Sequence, residues 1–255
     1  MRKYWLQEMS WPEVAEALKR TDIALIPIGS TEQHGLHLPL GVDTFIPIWV
    51  AEEVAKQVDV VVAPPLWYAD CPHHMGFPGT ITLRPETLIE LVYDICKSLI
   101  KHGFNKILLL NGHTMANNPA LLVAIERVQE ETDAHVYLID LLDIAKSTIS
   151  KIRESELGGL YHAAELETSQ MLAIRPDLVH MEKAKKVIPK SISRFIIIDG
   201  ITPGDKIWFK ITMKEWKKLT EYGLIGDPTL ASKEKGEKVM KAIVDNIVTF
   251  INEIK

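Results

Sequence analysis

The sequence predicts an α/β protein of three layers, α/β/α, with a mostly parallel central sheet between two sheets of helices. Short apolar, branched-residue runs at 23–28, 58–63, 106–110 and 135–139 alternate with longer segments of helical apolar spacing. The connections are short, which suits parallel strands covered on both faces. Polar residues with metal-binding chemistry also follow directly on two of the strand-like runs. That is the edge where ligands collect in such sheets.

Each element has its own signal. Ser10 and Glu13 form a capping box with Pro12 in the first turn, predicting a helix to residue 20. The run at 23–28 reads as a buried strand, and Asp43 or Thr44 is expected to cap a helix reaching residue 57. The strand at 58–63 stops at Pro64 and Pro65, and an aromatic loop with two glycines and two prolines follows. A helix over 86–102 ends at Gly103. The strand at 106–110 leads into Asn111, Gly112 and His113. A helix over 119–132, the strand at 135–139 and helical patterning over 141–153 come next, broken at Gly158 and Gly159. A helix over 165–174 ends before Pro176, a short strand is expected at 195–198, and an amphipathic helix over 233–254 closes the chain.

The composition narrows the function. A formal charge of −5 and a pI near 6.0, with no long basic run, argue against a nucleic-acid partner. Two cysteines, Cys71 and Cys96, make no disulfide framework and suggest a reducing compartment. The N-terminus lacks the apolar core of a secretory signal, and no apolar run has the length of a membrane span. A cytoplasmic protein is expected.

The chemistry concentrates in GSTEQHGLHLPLGVD, residues 29–43, where Glu32, His34, His37 and Asp43 fall within fifteen residues of a buried strand. Carboxylates and imidazoles are the usual ligands of divalent metals, and a carboxylate such as Asp43 can bridge two ions. His113 leaves a strand end and is a further candidate. In YHAAELET, His162 and Glu165 stand three apart on a predicted helix start, while Glu165 and Glu167 cannot share a helix face. One of the two is expected to bind metal and the other to satisfy a neighbouring group. His73 and His74 are adjacent, so one of them is expected to face a site. Cys71 has no neighbour in sequence that would lower its thiol pKa, and no phosphate-binding glycine motif is present.

Five blocks in order, GSTEQHGLHLPLGVD, HHMGFPGTITL, LLLNGH, HAAELETSQMLAIRPDLV and GLIGDPTLASKEKG, resemble the creatininase (creatinine amidohydrolase) family over nearly the whole chain. The resemblance implies one domain over residues 1–255, two divalent ions per subunit (zinc, manganese or iron) and homo-oligomers, often hexamers. By position, Glu32, Asp43 and His113 resemble the ligands of one ion, and His34 with the bridging Asp43 those of the other. Met115 stands where creatininase has a glutamate, so Glu165 is expected to complete the second site. His162 resembles a histidine that transfers a proton to the leaving group, with Glu167 behind the ligands and His37 orienting the loop. Cys71, His74, Thr114 and Met115 are expected to contact substrate, and the departures of Cys71, Thr114 and Met115 from the family pattern argue against creatinine itself.

The expected activity is attack of a metal-bridged hydroxide on the carbonyl of a small cyclic amide or formamide. Hydrolysis of a carbon–carbon bond in a cyclic carbohydrate diketone is the nearest alternative. A metal-binding protein without turnover and a hydrolase using Cys71 as nucleophile stand farther off.

Overall fold

The computed structural model describes residues 2–190, 193, 195–201, 207 and 209–255. Helix α1 (Trp11–Leu18) opens on the Ser10–Glu13 capping box, and strand β1 (Ile23–Ile28) follows it. Helix α2 (Val42–Gln57), strand β2 (Val61–Val62), helix α3 (Pro85–His102) and strand β3 (Lys106–Asn111) come next. Then come helix α4 (Asn118–Glu130), strand β4 (His135–Asp140) and helix α5 (Lys146–Ile152). The chain continues through strand β5 (Leu160–His162), helix α6 (Glu165–Ile174), helix α7 (Met213–Leu219), strand β6 (Ile225–Gly226) and helix α8 (Lys233–Ile254).

The central sheet is parallel throughout, in the order β2-β1-β3-β4. Side chains alternate across its pleat and divide the core in two. Ile23, Leu25, Leu108 and Leu110 join α2, α6 and α8 on one face. Ala24, Ile26, Ile28, Ile107 and Leu109 pack against α1, α3 and α4 on the other. Both faces are covered, so β1 is buried at every position and reads as a continuous apolar run. The expected three-layer architecture is present.

Several local expectations need correction. Helix α2 begins at Val42 with Gly41 as its N-cap, so Asp43 lies in the first turn and does not cap it. The strand expected over 58–63 shrinks to the two residues of β2 at the sheet edge, where it has a single strand neighbour. The segment at 141–153 divides into a 3₁₀ turn (Asp143–Ala145) and α5. No strand forms at 195–198, where Ile196 makes only an isolated bridge with Ser193. The pairing of β5 with β6, antiparallel and far apart in sequence, had no local signal. Among the described residues, no helix is long and apolar enough to cross a membrane.

Two glycines fix the site's position. A Cβ on Gly29, just past β1, would lie 2.3 Å from the Asp43 carbonyl oxygen. One on Gly112, just past β3, would lie 2.1 Å from the same oxygen. The first turn of α2 can therefore rest directly on the ends of both central strands, which carries Asp43 to the carboxyl edge of the sheet.

Candidate metal centre

At that edge Glu32, His34, Asp43, His74, His113 and His162 are all buried. Three overlapping sets of donor atoms lie within 4.8 Å of one another: Glu32, Asp43 and His113; His34, His162 and Glu167; and Glu32, His74 and His162.

Asp43 sits between the first two sets. Its Oδ1 is 3.1 Å from His34 Nε2, and its Oδ2 is 2.8 Å from His113 Nδ1 and accepts from Ser30 Oγ at 2.9 Å. Burial raises the Asp43 carboxyl, but His34 and His113 together hold it well below the usual carboxylate range. Burial would push both imidazoles down, yet Asp43 raises His34 to about 10, and Glu32 with Asp43 raises His113 to about 9. The ring nitrogens facing away from Asp43 are occupied by backbone. His34 Nδ1 donates to the Glu32 carbonyl at 3.1 Å, and His113 Nε2 to the Asp70 carbonyl at 3.4 Å. Such bonds orient a histidine so that its other nitrogen faces a metal.

Glu32 supplies the test of whether a metal fits. His74 Nε2, His113 Nε2 and His162 Nδ1 approach its carboxylate at 3.1, 3.4 and 3.7 Å. None is aligned as a hydrogen bond, and both Glu32 oxygens are buried without a partner among the described residues. A buried carboxylate in that state is costly unless it is paired or coordinates a metal. Two carboxylates and imidazoles converging on one volume are a donor set for divalent zinc, manganese or iron.

The choice between the two glutamates of α6 comes out against expectation. Glu165 is not brought to the cluster. Its carboxylate accepts from the amides of Glu154 at 2.9 Å and Ser155 at 2.8 Å and from Lys235 Nζ of α8 at 2.5 Å. Burial raises this carboxyl, but Lys235 and the two amides more than offset that and hold it low. Glu167 occupies the position beside His34 and His162. Its Oε2 accepts from the amide of Ala163, a residue held at a φ of +49°. Burial, with Asp43 and Glu32 adding to it against His34, raises the Glu167 carboxyl to about 7.

Other expected residues divide. His74, Thr114 and Met115 line a cavity of about 500 Å³ that opens above the cluster, and Met115 sits at a φ of +58°. His73 lines it too, so both adjacent histidines reach the cavity. Cys71 does not line it. Its Sγ is buried against the carbonyls of Ile81 and Ala69, and burial pushes its thiol far up. His37 lies behind the loop, where Nε2 pairs with Thr168 Oγ1 at 2.9 Å and the backbone carbonyl accepts from His180.

Gln33 went unnoticed in the sequence. Its side-chain nitrogen donates to the Gly223 carbonyl and to His74 Nδ1, both at 2.8 Å, while its backbone carbonyl accepts from His162 Nε2 at 2.7 Å. The only local hint was its place between Glu32 and His34. Trp216, which stacks edge-on against His74 and His162, had none.

Known proteins resemble the chain along its whole length. The family description "Creatininase: Creatinine amidohydrolase" matches residues 7–251. The 3-dehydro-scyllo-inosose hydrolase of Thermotoga maritima is 32% identical, over 98% of this chain and 83% of that protein. The creatinine amidohydrolase of Pseudomonas putida is 28% identical, over 99% and 97% respectively. A crystal structure of creatinine amidohydrolase superposes with a TM-score of 0.84 at 28% identity, covering 99% of this chain and 98% of that one. With a metal-type donor set at the sheet edge and these likenesses along its whole length, the chain belongs to the creatininase family of hydrolases.

Proposed function

We propose that this chain is a two-metal amidohydrolase. The observation that carries the proposal is the buried Glu32 carboxylate, whose oxygens have no hydrogen-bond partner among the described residues, within overlapping donor sets that share Glu32 and His162, while Asp43 links His113 of one set to His34 of another. Glu32, Asp43 and His113 would hold one ion, and His34, Asp43 and Glu167 the other. Glu167 thus takes the role expected of Glu165. Paired divalent ions supply a polarised carbonyl and an acidified water. Related creatininase structures are named for manganese and for a zinc pair, and either metal suits these ligands.

His162 moves the proton. Burial, together with His74 and His34, keeps its imidazole neutral. Since Nε2 donates to the Gln33 carbonyl, Nδ1 is the free basic atom, and it faces the Glu32 side of the cavity. Nδ1 takes the proton released by the attacking water and hands it to the departing nitrogen, a transfer worth roughly 10²–10⁴-fold. His74 and Trp216 confine the ring, and Thr114 and Met115 border the space the substrate enters.

The second reading, hydrolysis of a carbon–carbon bond in a cyclic carbohydrate diketone, is favoured by the 32% identity to the inosose hydrolase. It would use the same ligands and the same proton carrier. We also read the chain as one domain that assembles into homo-oligomers and acts on a small molecule.

Metal analysis of the purified protein, followed by a lactam, a formamide and a cyclic diketone as substrates, tests these readings. Two ions per chain with turnover of an amide is the expected result. Turnover of the diketone alone would select the second reading, and a protein that takes up no metal would overturn both.

A further inference from the structure

We propose that the cavity selects an amide bearing an apolar arm, aliphatic or aromatic, and disfavours a polyhydroxylated substrate; this rests on the two-metal reading above. At about 500 Å³ the cavity has the size of sites that hold drug-like ligands. It therefore extends well beyond a scissile carbonyl and its neighbours.

Beside the carboxylate–histidine floor, an apolar part of the lining is built from Met115, Ile196, Ile198, Phe209, Ile211 and Trp216. Trp216 is buried, and its single polar atom, Nε1, donates to the Gly223 carbonyl at 2.8 Å, so its ring offers the cavity only carbon. Ile198, Ile211 and Trp216 pack with Ile225 into a separate apolar cluster that fixes this wall. Phe209 remains 44% exposed, apolar surface that a bound arm would cover.

Among the described residues of that side, the two charged groups each have a charged partner. The Asp199 carboxylate accepts from Arg153 and from the amides of Gly158 and Ile201. Lys210 Nζ lies 3.4 Å from Asp70 Oδ2. A ring carrying several hydroxyls would leave some of them unpaired against isoleucine and phenylalanine, each lowering affinity on the order of tenfold. An alkyl or aryl arm gains instead, up to about fourfold for each methylene fully removed from water.

Hydroxamates bind zinc directly and carry interchangeable arms, so they separate the wall from the chemistry. Isothermal titration of the zinc-loaded protein would compare acetohydroxamate, hexanohydroxamate and gluconohydroxamate. The expected result is that the hexanoyl chain, four methylenes longer, binds about tenfold or more tighter than the acetyl one, while the polyol gains nothing. Phe209→Ala, a change at a partly exposed side chain, should reduce the gain from the longer chain. Equal binding of the acetyl and hexanoyl probes, or tighter binding of the polyol, would overturn the apolar selection while leaving the metal site standing. Failure of all three to bind would overturn the metal reading, and this inference with it.

Discussion

The two glutamates of α6 should fail in opposite ways. In Glu165→Ala, the amides of Glu154 and Ser155 lose their acceptor, and Lys235, largely buried, loses its closest carboxylate. Lost hydrogen bonds of this kind cost about 0.5–1.5 kcal/mol each, and breaking a buried ion pair from one side costs about 3–5 kcal/mol. Lys235 keeps the Leu230 carbonyl and Glu154 as partners, so a total of about 3–5 kcal/mol is expected. A chain of 255 residues, at about 2.1 cal/mol/K per residue, unfolds with an entropy of roughly 0.5 kcal/mol/K, so Tm should fall by about 6–10 °C. Glu167→Ala relieves a carboxylate crowded by Asp43 and Glu32 but strips the Ala163 amide of its acceptor, so the metal-free protein should lose no more than about 0.5–1.5 kcal/mol. It should, however, lose one of two bound ions. Calorimetric Tm of the metal-free proteins and metal content after loading would be measured on both variants. A Glu165→Ala protein that keeps its Tm but drops an ion, beside a Glu167→Ala protein that keeps both, would refute the assignment.

Three further outcomes are expected. Chelation should abolish turnover, whereas thiol alkylation of the native protein should not. Cys71 is buried with its thiol pushed far up, and Cys96 is buried and pushed up to about 12, so mass spectrometry should find both unmodified. Stability of the metal-free protein should peak near neutrality, as read by chemical denaturation across pH. His37 is lowered to about 4 by burial, with His34 adding to it, so the unfolded chain binds the extra proton first and stability falls from about pH 6.5 towards 4. His113 and His34, raised to about 9 and 10, contribute stability that is complete below about pH 6.5 and lost as pH rises through those values. Gln33→Leu should retain its metals but lose turnover, because the tether on His74 goes and the loop holding His162 is disturbed. A fall in metal content matching the fall in kcat would count against that role.

Much of this was legible because it is local. The strands β1 and β3 are apolar runs between punctuating residues, and Gly103 ends α3 in the left-handed conformation its position called for. The loop with Glu32, His34 and Asp43 carries its ligand types within fifteen residues of a buried strand. Glu165 and Glu167 show where local reading stops. Helical geometry says that residues two apart face different ways, but which one faces the cluster depends on how β5 enters α6. Ala163 at positive φ decides it, together with Lys235, seventy residues downstream. Cys71 failed as a pocket residue for a similar reason. Its loop turns the sulfur towards the carbonyls of Ala69 and Ile81, a direction no composition or spacing encodes. The missing strand at 195–198 is a branched apolar run whose Ile196 and Ile198 line the cavity wall, so its hydrophobicity serves an opening and not a ladder.

The two glycine contacts on the Asp43 carbonyl also bear on how quickly the centre could fill. With no side chain between strand ends and helix, Asp43 is seated by the packed sheet, and Glu32 and His113 leave that same packed edge. Ligand positions are then set when the chain folds, and little ordering remains for metal uptake. The protein should behave as a rigid chelator, exchanging ions at a rate governed by ligand deprotonation and access through the cavity mouth, with its backbone unchanged between the empty and filled forms.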